Sequence, residues 1–240
     1  MNSSNLAIPL WNLAIAFIPA IAGLLICYKW SKNVRRASYS VVRMLVQLLL
    51  IGYLLTFIFE THSPLLVMGI LLLMICASSW IAAGSIGGSV SREGFRYVRY
   101  SLVSIAAGGL FTLVLVTQGV LELDPWYLPR FVIPLAGMIF ANSMNTVSLA
   151  AERLHAEFEH EIAYPEARAI AFNAALIPNI NSMFAVGLVS LPGMMTGQIL
   201  SGVSPLIAVR YQIVVMCMIF GSSAISAACF LLLARPQQQS

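Results

Sequence analysis

The sequence predicts an all-α fold, a polytopic integral membrane helix bundle of about seven transmembrane helices. Three observations carry that prediction. The 240 residues are 60% hydrophobic and 9% charged, where soluble domains run near 45–50% and about 25%. Seven apolar segments reach the roughly 20 residues that a helix needs to cross a hydrocarbon core of about 30 Å. Lys and Arg collect on alternate loops, which orients the bundle with its N-terminus outside and its C-terminus cytoplasmic. Backbone groups in lipid must be satisfied internally, so helices follow, and the alternating pattern of a membrane barrel is absent.

The first span is predicted over residues 6–28. Met1–Asn5 ahead of it has no positive stretch, so no cleaved signal peptide is expected. An inner loop with Lys29, Lys32, Arg35 and Arg36 leads to the second span, 38–59, where Arg43 lies close enough to the inner end to snorkel. The short outer loop Glu60–Pro64 precedes the third span, 65–84, and Arg92, Arg96 and Arg99 mark the next inner loop. The fourth span covers 101–120, the outer loop Leu121–Arg130 follows, and the fifth span covers 131–151. A charged inner segment near 152–175 separates it from the sixth span, 176–199. Ser201–Pro205 then leads to the seventh, 206–234, with Arg235 inside. Of the thirteen Lys and Arg residues, eleven fall inside and only Arg130 and Arg210 outside. Residues 1–240 read as a single membrane domain.

The inner segment holds five of the nine acidic residues: Glu152, Glu157, Glu159, Glu161 and Glu166. Leu154, Phe158 and Ile162 recur every four residues, an apolar stripe on a helix continuing from the fifth span. Glu157, His160 and Glu161 are expected on the opposite face. Tyr164-Pro165 should break that helix, and Pro165 suits the first turn of a second, short helix with Glu166 near its positive end. Two readings stand side by side, a docking surface for a separate ATPase and a solvated amphipathic hairpin.

Polar residues inside the spans need partners or water, so their faces should point inward. One face of the fifth span carries Asn142, Asn145 and Thr146; the sixth carries Asn179, Ser182 and Ser190, with a kink or unwound turn expected at Leu191-Pro192-Gly193. They read either as a lined pathway or as helix–helix glue. Met194 and Met195, with Met138, Met144 and Met183, offer soft thioether ligands or flexible filler. Arg210, with Tyr211 and Gln212, reads as an interfacial anchor or as an attractor for an anionic group.

Several classes are excluded. His62, His155 and His160 all fall in loops, which removes haem ligation and a Ser/His hydrolase within the bilayer. The single Asp, Asp124, is in an outer loop, and no acid sits centrally in a span, so a carboxylate proton relay is missing. Lys29 and Lys32 lie near the first span, which removes a retinal Schiff base in a late helix. Cys27, Cys76, Cys217 and Cys229 stand singly, without disulfide or zinc spacing. The positive charges lie beside lipid headgroups, so no nucleic-acid partner is implied. There is no phosphate-binding loop of the Gly-x-x-x-x-Gly-Lys type, so any ATP is handled by another chain.

Three stretches carry a family resemblance: Ile133–Ile139, Gly187–Gly197 (GLVSLPGMMTG) and Ala208–Ile213 (AVRYQI). They are similar to the FetB family of ABC-transporter permeases, associated with bacterial iron export, whose plant relatives are linked to aluminium tolerance and to a proposed UDP-sugar transport. The likeness is close over about 132–215 and collinear from about 39 onwards. It implies a dimer of permeases in the bacterial inner (plasma) membrane, paired with two copies of a cytosolic ABC ATPase. The chain itself would bind no cofactor, with ATP and Mg held by the partner. The expected function is export of a metal ion, iron first. An ATP-independent channel or carrier, or an ABC permease for a sugar nucleotide or other small solute, is the alternative. Asn142, Asn145, Thr146, Asn179, Ser182, Ser190, Met194 and Met195 are then the expected pathway, and Glu161, Tyr164, Pro165, Glu166 and Arg168 the coupling element. Family members usually carry Gly-Ala-Thr-Pro in this loop; here the run is Ala163-Tyr164-Pro165-Glu166, and the stretch to Pro178 is several residues shorter.

Overall fold

Proline opens most of the long helices, as its fixed φ and missing N–H favour at a first turn. A computed structural model describes residues 10–30, 34–60, 63–84 and 92–235. Lys32, His62 and Met1–Asn5 lie outside the described residues, as do 6–9 of the first predicted span. The elements are α1 (Leu10–Ile15), α2 (Phe17–Trp30), α3 (Val34–Glu60), α4 (Pro64–Ala83), α5 (Arg92–Val114, continued by a π-helical stretch Leu115–Val120), α6 (Pro129–Glu159), α7 (Tyr164–Ala185), α8 (Gly193–Leu200) and α9 (Pro205–Leu233). Pro64, Pro129, Pro165 and Pro205 all occupy first-turn positions. Among the described residues no strand forms, only an isolated bridge between Val186 and Ser190.

The described residues divide into two units, α1–α3 and α4–α9. In the first, α2 has no buried residue and α3 only Ile58. Helices with such long apolar stretches left unburied by protein suit lipid as their solvent.

In the second unit α5 and α9 pack along each other, with α6 against both and α4 against α5 and α6. Small residues permit this. Ser101, Ser104, Gly108 and Thr112 of α5 are buried, and so are Ser222, Ser223, Ser226 and Ala227 of α9. A methyl group at Gly108 would lie 2.9 Å from the Ser226 nitrogen and 3.0 Å from the Ser222 carbonyl oxygen. At Gly109 it would meet the Phe140 ring of α6 at 2.6 Å. The two adjacent glycines let α5 approach α9 and α6 on two sides, the close packing that drives helix association in lipid.

Six helical stretches are long and apolar enough to cross a membrane: Trp11–Trp30, Val34–Glu60, Pro64–Ala83, Gly94–Val120, Pro129–Glu159 and Pro205–Leu233. They correspond to six of the seven predicted spans. The predicted sixth, 176–199, is not one helix. α7 begins at Tyr164 and ends at Ala185, residues 186–192 turn back on themselves, and α8 has only eight residues. Glu166, Arg168, Asn173, Asn179 and Asn181 keep α7 less apolar than its neighbours, and it is not among the six. At 22 residues α7 is about 33 Å long, long enough for the core. The charged inner segment contracts accordingly, because α6 runs on to Glu159 and only 160–163 remain outside helix.

Candidate functional site

A stripe of small residues brings α7 against α6. Ala167, Ala171, Ala175 and Asn179 recur every four residues and are all buried. Thr146, Val147, Ala150, Ala151 and Leu154 are buried on α6. At the end of the stripe farthest from Tyr164 the contact turns polar. Asn179 donates from Nδ2 to the Thr146 hydroxyl at 3.1 Å, and that hydroxyl donates to the Asn142 carbonyl at 2.9 Å. Asn142 in turn donates from Nδ2 to the Met138 carbonyl at 2.8 Å. Three of the predicted pathway residues therefore form one seam, and the buried amide of Asn179 has the partner that burial demands.

Beside this seam lies a cleft of about 140 Å³ lined by Asn142, Pro178, Asn179, Ser182, Met183 and the α9 residues Met216, Ile219 and Phe220. Pro178 sits inside α7 and has no N–H to offer Ala174, so a backbone carbonyl is freed on this helix.

The other predicted residues are not gathered here. Asn145 is exposed and lies away from the seam, since only the four-residue spacing of Asn142 and Thr146 keeps to the α7 side. Ser190 is exposed in the 186–192 turn, where Gly187 takes φ +82° and its N–H bonds the Ser190 carbonyl at 2.9 Å. Met194 and Met195 diverge. Met194 lines a 120 Å³ cleft with Arg130, Met138 and Tyr211; Met195 lines a 260 Å³ cleft with Gln212, Met216 and Cys217. Among the described residues no three His, Cys, Asp or Glu side chains gather as metal ligands.

Gln212 is the residue that sequence reasoning missed. Expected beside Arg210 at an interface, it is 6% exposed, and its Oε1 has no hydrogen-bond partner. Its spacing of four from Met216 on α9 was the available signal.

The turn after α6 is built by a Schellman-type ending. Glu161 N–H bonds the Phe158 carbonyl at 3.1 Å and Ile162 N–H bonds the Glu157 carbonyl at 3.1 Å. Glu161 occupies the left-handed position with φ 59°, where glycine is usual. Leu154 is buried, and Phe158 and Ile162 pack on the core, as their spacing predicts. Glu157 does not face out with His160 and Glu161. It is 3% exposed and paired with Arg153, because it shares the buried face with Leu154 and Ala150. His160, Glu161, Pro165, Glu166 and Arg168 are exposed.

Tyr164, the first residue of α7, is half-buried. Its hydroxyl donates to the Leu231 carbonyl at 2.7 Å, one of the final carbonyls that α9 leaves without an intrahelical donor. The guanidinium carbons of Arg168 and Arg235 lie 5.7 and 5.9 Å from its ring centroid. Predicted coupling residues Tyr164 and Arg168 are thus tied to the end of α9, while Glu161 and Glu166 stand free of ion pairs among the described residues.

Residues 10–238 match the family described as "Uncharacterised protein family (UPF0014)". The chain is 36% identical to "UPF0014 membrane protein slr1647" of Synechocystis over 200 residues, covering 77% of this chain and 75% of that one. It is 32% identical to "Probable iron export permease protein FetB" of Escherichia coli K12 over 254 residues, covering 96% and 92%. It is 30% identical to "Protein ALUMINUM SENSITIVE 3" of Arabidopsis thaliana over 231 residues, covering 89% and 81%. No solved structure matches. The resemblance read from three short stretches thus extends over nearly the whole length, and this multi-pass helical membrane protein belongs to the UPF0014 family.

Proposed function

We propose that this chain is the membrane permease subunit of an ABC transporter that exports a metal ion, with iron the first candidate. A separate cytosolic ATPase holds ATP and Mg and supplies the energy. The observation that carries this reading is the collinear likeness to a probable iron export permease over 96% of the chain. The geometry supports it. A polar seam with an adjoining cleft runs where α6, α7 and α9 meet, and α6 and α7 join at one largely exposed turn, 160–163.

The orientation follows from charge, N-terminus outside and C-terminus cytoplasmic. Arg168 and Arg235 lie at one ring, and the excess of positive charge there favours the cytoplasmic side for that end of α7 and α9. In this reading the whole chain is one permease domain. The ATPase binds around Glu161, Pro165 and Glu166. Movement there passes through Tyr164 to α7 and, by its bond to Leu231, to α9 as well. The stripe of alanines lets α7 shift along α6, so the Asn179–Thr146 contact opens and closes while polar atoms face the cargo in turn. Asn145 and Asn181 are exposed on helices inside the membrane, where an unpartnered amide is costly. A second copy of the permease, or the water of the pathway between two copies, meets that need.

Reconstitution of the permease with its ATPase in vesicles tests the reading. Ferrous iron should stimulate ATP hydrolysis and be moved in an ATP-dependent way. Flux through the chain alone, indifferent to ATP, would make it a channel or carrier. Stimulation only by a sugar nucleotide would keep the class and replace the cargo.

A further inference from the structure

Where α7 begins and α9 ends, a groove of about 370 Å³ runs between the two helices, lined by Arg168, Ala169, Phe172, Ala228, Leu231 and Leu232. Its polarity changes along its length. Arg168 stands at the mouth, and one turn further in, on each helix, Phe172 and Ala228 make an apolar floor. Arg235, just past the end of α9, approaches the same Tyr164 ring as Arg168, with both guanidinium carbons within 6 Å of its centroid.

Neither guanidinium has an ion-pair partner among the described residues. Both are exposed at the end of their helices. An aromatic ring attracts cations, yet two cations held at one ring repel each other, and an anion within reach of both relieves that repulsion. Glu166 does not serve, since residues two apart on a helix face different ways.

We propose that this groove binds one anionic phospholipid, with its phosphate on Arg168 and Arg235 and an acyl chain along the floor formed by Phe172 and Ala228. A charged mouth opening onto an apolar channel at a helix end has the polarity of such a lipid, and basic pockets between membrane helices bind anionic headgroups in this way. A zwitterionic headgroup carries its own ammonium and leaves the guanidinium pair uncompensated. The occupant touches Arg168, four residues after Tyr164, and so sits beside the link between α7 and α9.

The test uses the full chain purified from vesicles of equimolar phosphatidylglycerol and phosphatidylethanolamine, with retained lipid counted by native mass spectrometry. The wild type should retain phosphatidylglycerol preferentially. Arg168→Gln with Arg235→Gln should weaken that retention by about five-fold for each guanidinium removed. Ala228→Trp should abolish it by filling the floor with both charges intact. A second measurement needs no variant: phosphatidylglycerol carrying a photoreactive group in its acyl chain should label Ala169, Phe172 or Ala228 in the wild type. Equal retention of both lipids, label spread evenly along α2 and α3, or displacement of the lipid by millimolar inorganic phosphate would overturn the proposal. A change in oligomeric state of the double variant with lipid retention unaltered would overturn it as well, assigning the groove to a second copy.

Discussion

The Tyr164 hydroxyl reaches the Leu231 carbonyl at 2.7 Å and so fastens the first residue of α7 to the last turn of α9. Sixty-seven residues separate the two in the chain, yet they share one end of the bundle. Removing the hydroxyl leaves an oxygen without a donor. Tyr164→Phe should lower stability by about 1 kcal/mol, read from the denaturation midpoint in detergent. Tyr164→Ala should lower it further, because the ring that holds Arg168 and Arg235 also goes. An unchanged midpoint in the Phe variant would mean that water serves the carbonyl equally well.

Gly108 separates close packing from mere helix composition. Gly108→Ala places a methyl group 3.0 Å or less from α9 backbone atoms that cannot swing aside. It should destabilise by about 1–3 kcal/mol, as overpacking does. Gly221→Ala, with nothing within 4 Å of the added carbon, should be neutral or stabilising, because alanine is the better helix former by about 1 kcal/mol. Thermal unfolding of the two variants side by side checks the contrast.

Glu161 holds a left-handed conformation that glycine adopts freely and a glutamate side chain disfavours. Glu161→Gly should therefore stabilise the α6–α7 turn by about 1 kcal/mol. If Glu161 also touches the ATPase, the same variant should bind its partner less tightly while unfolding later. Measuring both properties on one sample distinguishes a strained residue kept for contact from one kept for folding.

The seam offers a division of labour between two amides that the sequence places on one face. Asn142 lines the cleft and belongs to the hydrogen-bonded chain, whereas Asn145 is exposed elsewhere. Asn142→Leu with Asn145→Leu should reduce transport and leave assembly with the ATPase intact. Of the single variants, Asn142→Leu should account for the loss if the cleft is the route. Loss through Asn145→Leu alone would move the route to the surface between copies.

Much of this was legible in the residues. The spans predicted at 38–59, 65–84 and 206–234 match α3, α4 and α9 to within a few residues, because long apolar runs bounded by proline or charge admit little else. The apolar stripe of Leu154, Phe158 and Ile162 and the place of Pro165 in a first turn also read correctly, but the break comes earlier, at 160–163, and the helix that Tyr164 opens is long, 22 residues. What failed was hydropathy at α7. Its charged residues and asparagines lower its hydropathy, but its alanines and Asn179 are what lets two helices touch and share a hydrogen bond. Glu157 was misplaced for a related reason: charge predicts exposure, whereas its place on the face of Leu154 and Ala150 buries it and Arg153 compensates its charge. The serine-rich face between α5 and α9, and the unpartnered Gln212 oxygen, depend on which helices meet. Periodicity within one helix does not carry that information.

A photoreactive amino acid placed at Glu161, in cells that carry the protein's own partners, asks directly whether the 160–163 turn receives force from an ATPase. The account predicts a crosslink to a cytosolic nucleotide-hydrolysing protein, lost when Glu166 is reversed to Lys. Crosslinks to lipid or water alone, with cargo still moved in the absence of ATP, would contradict it.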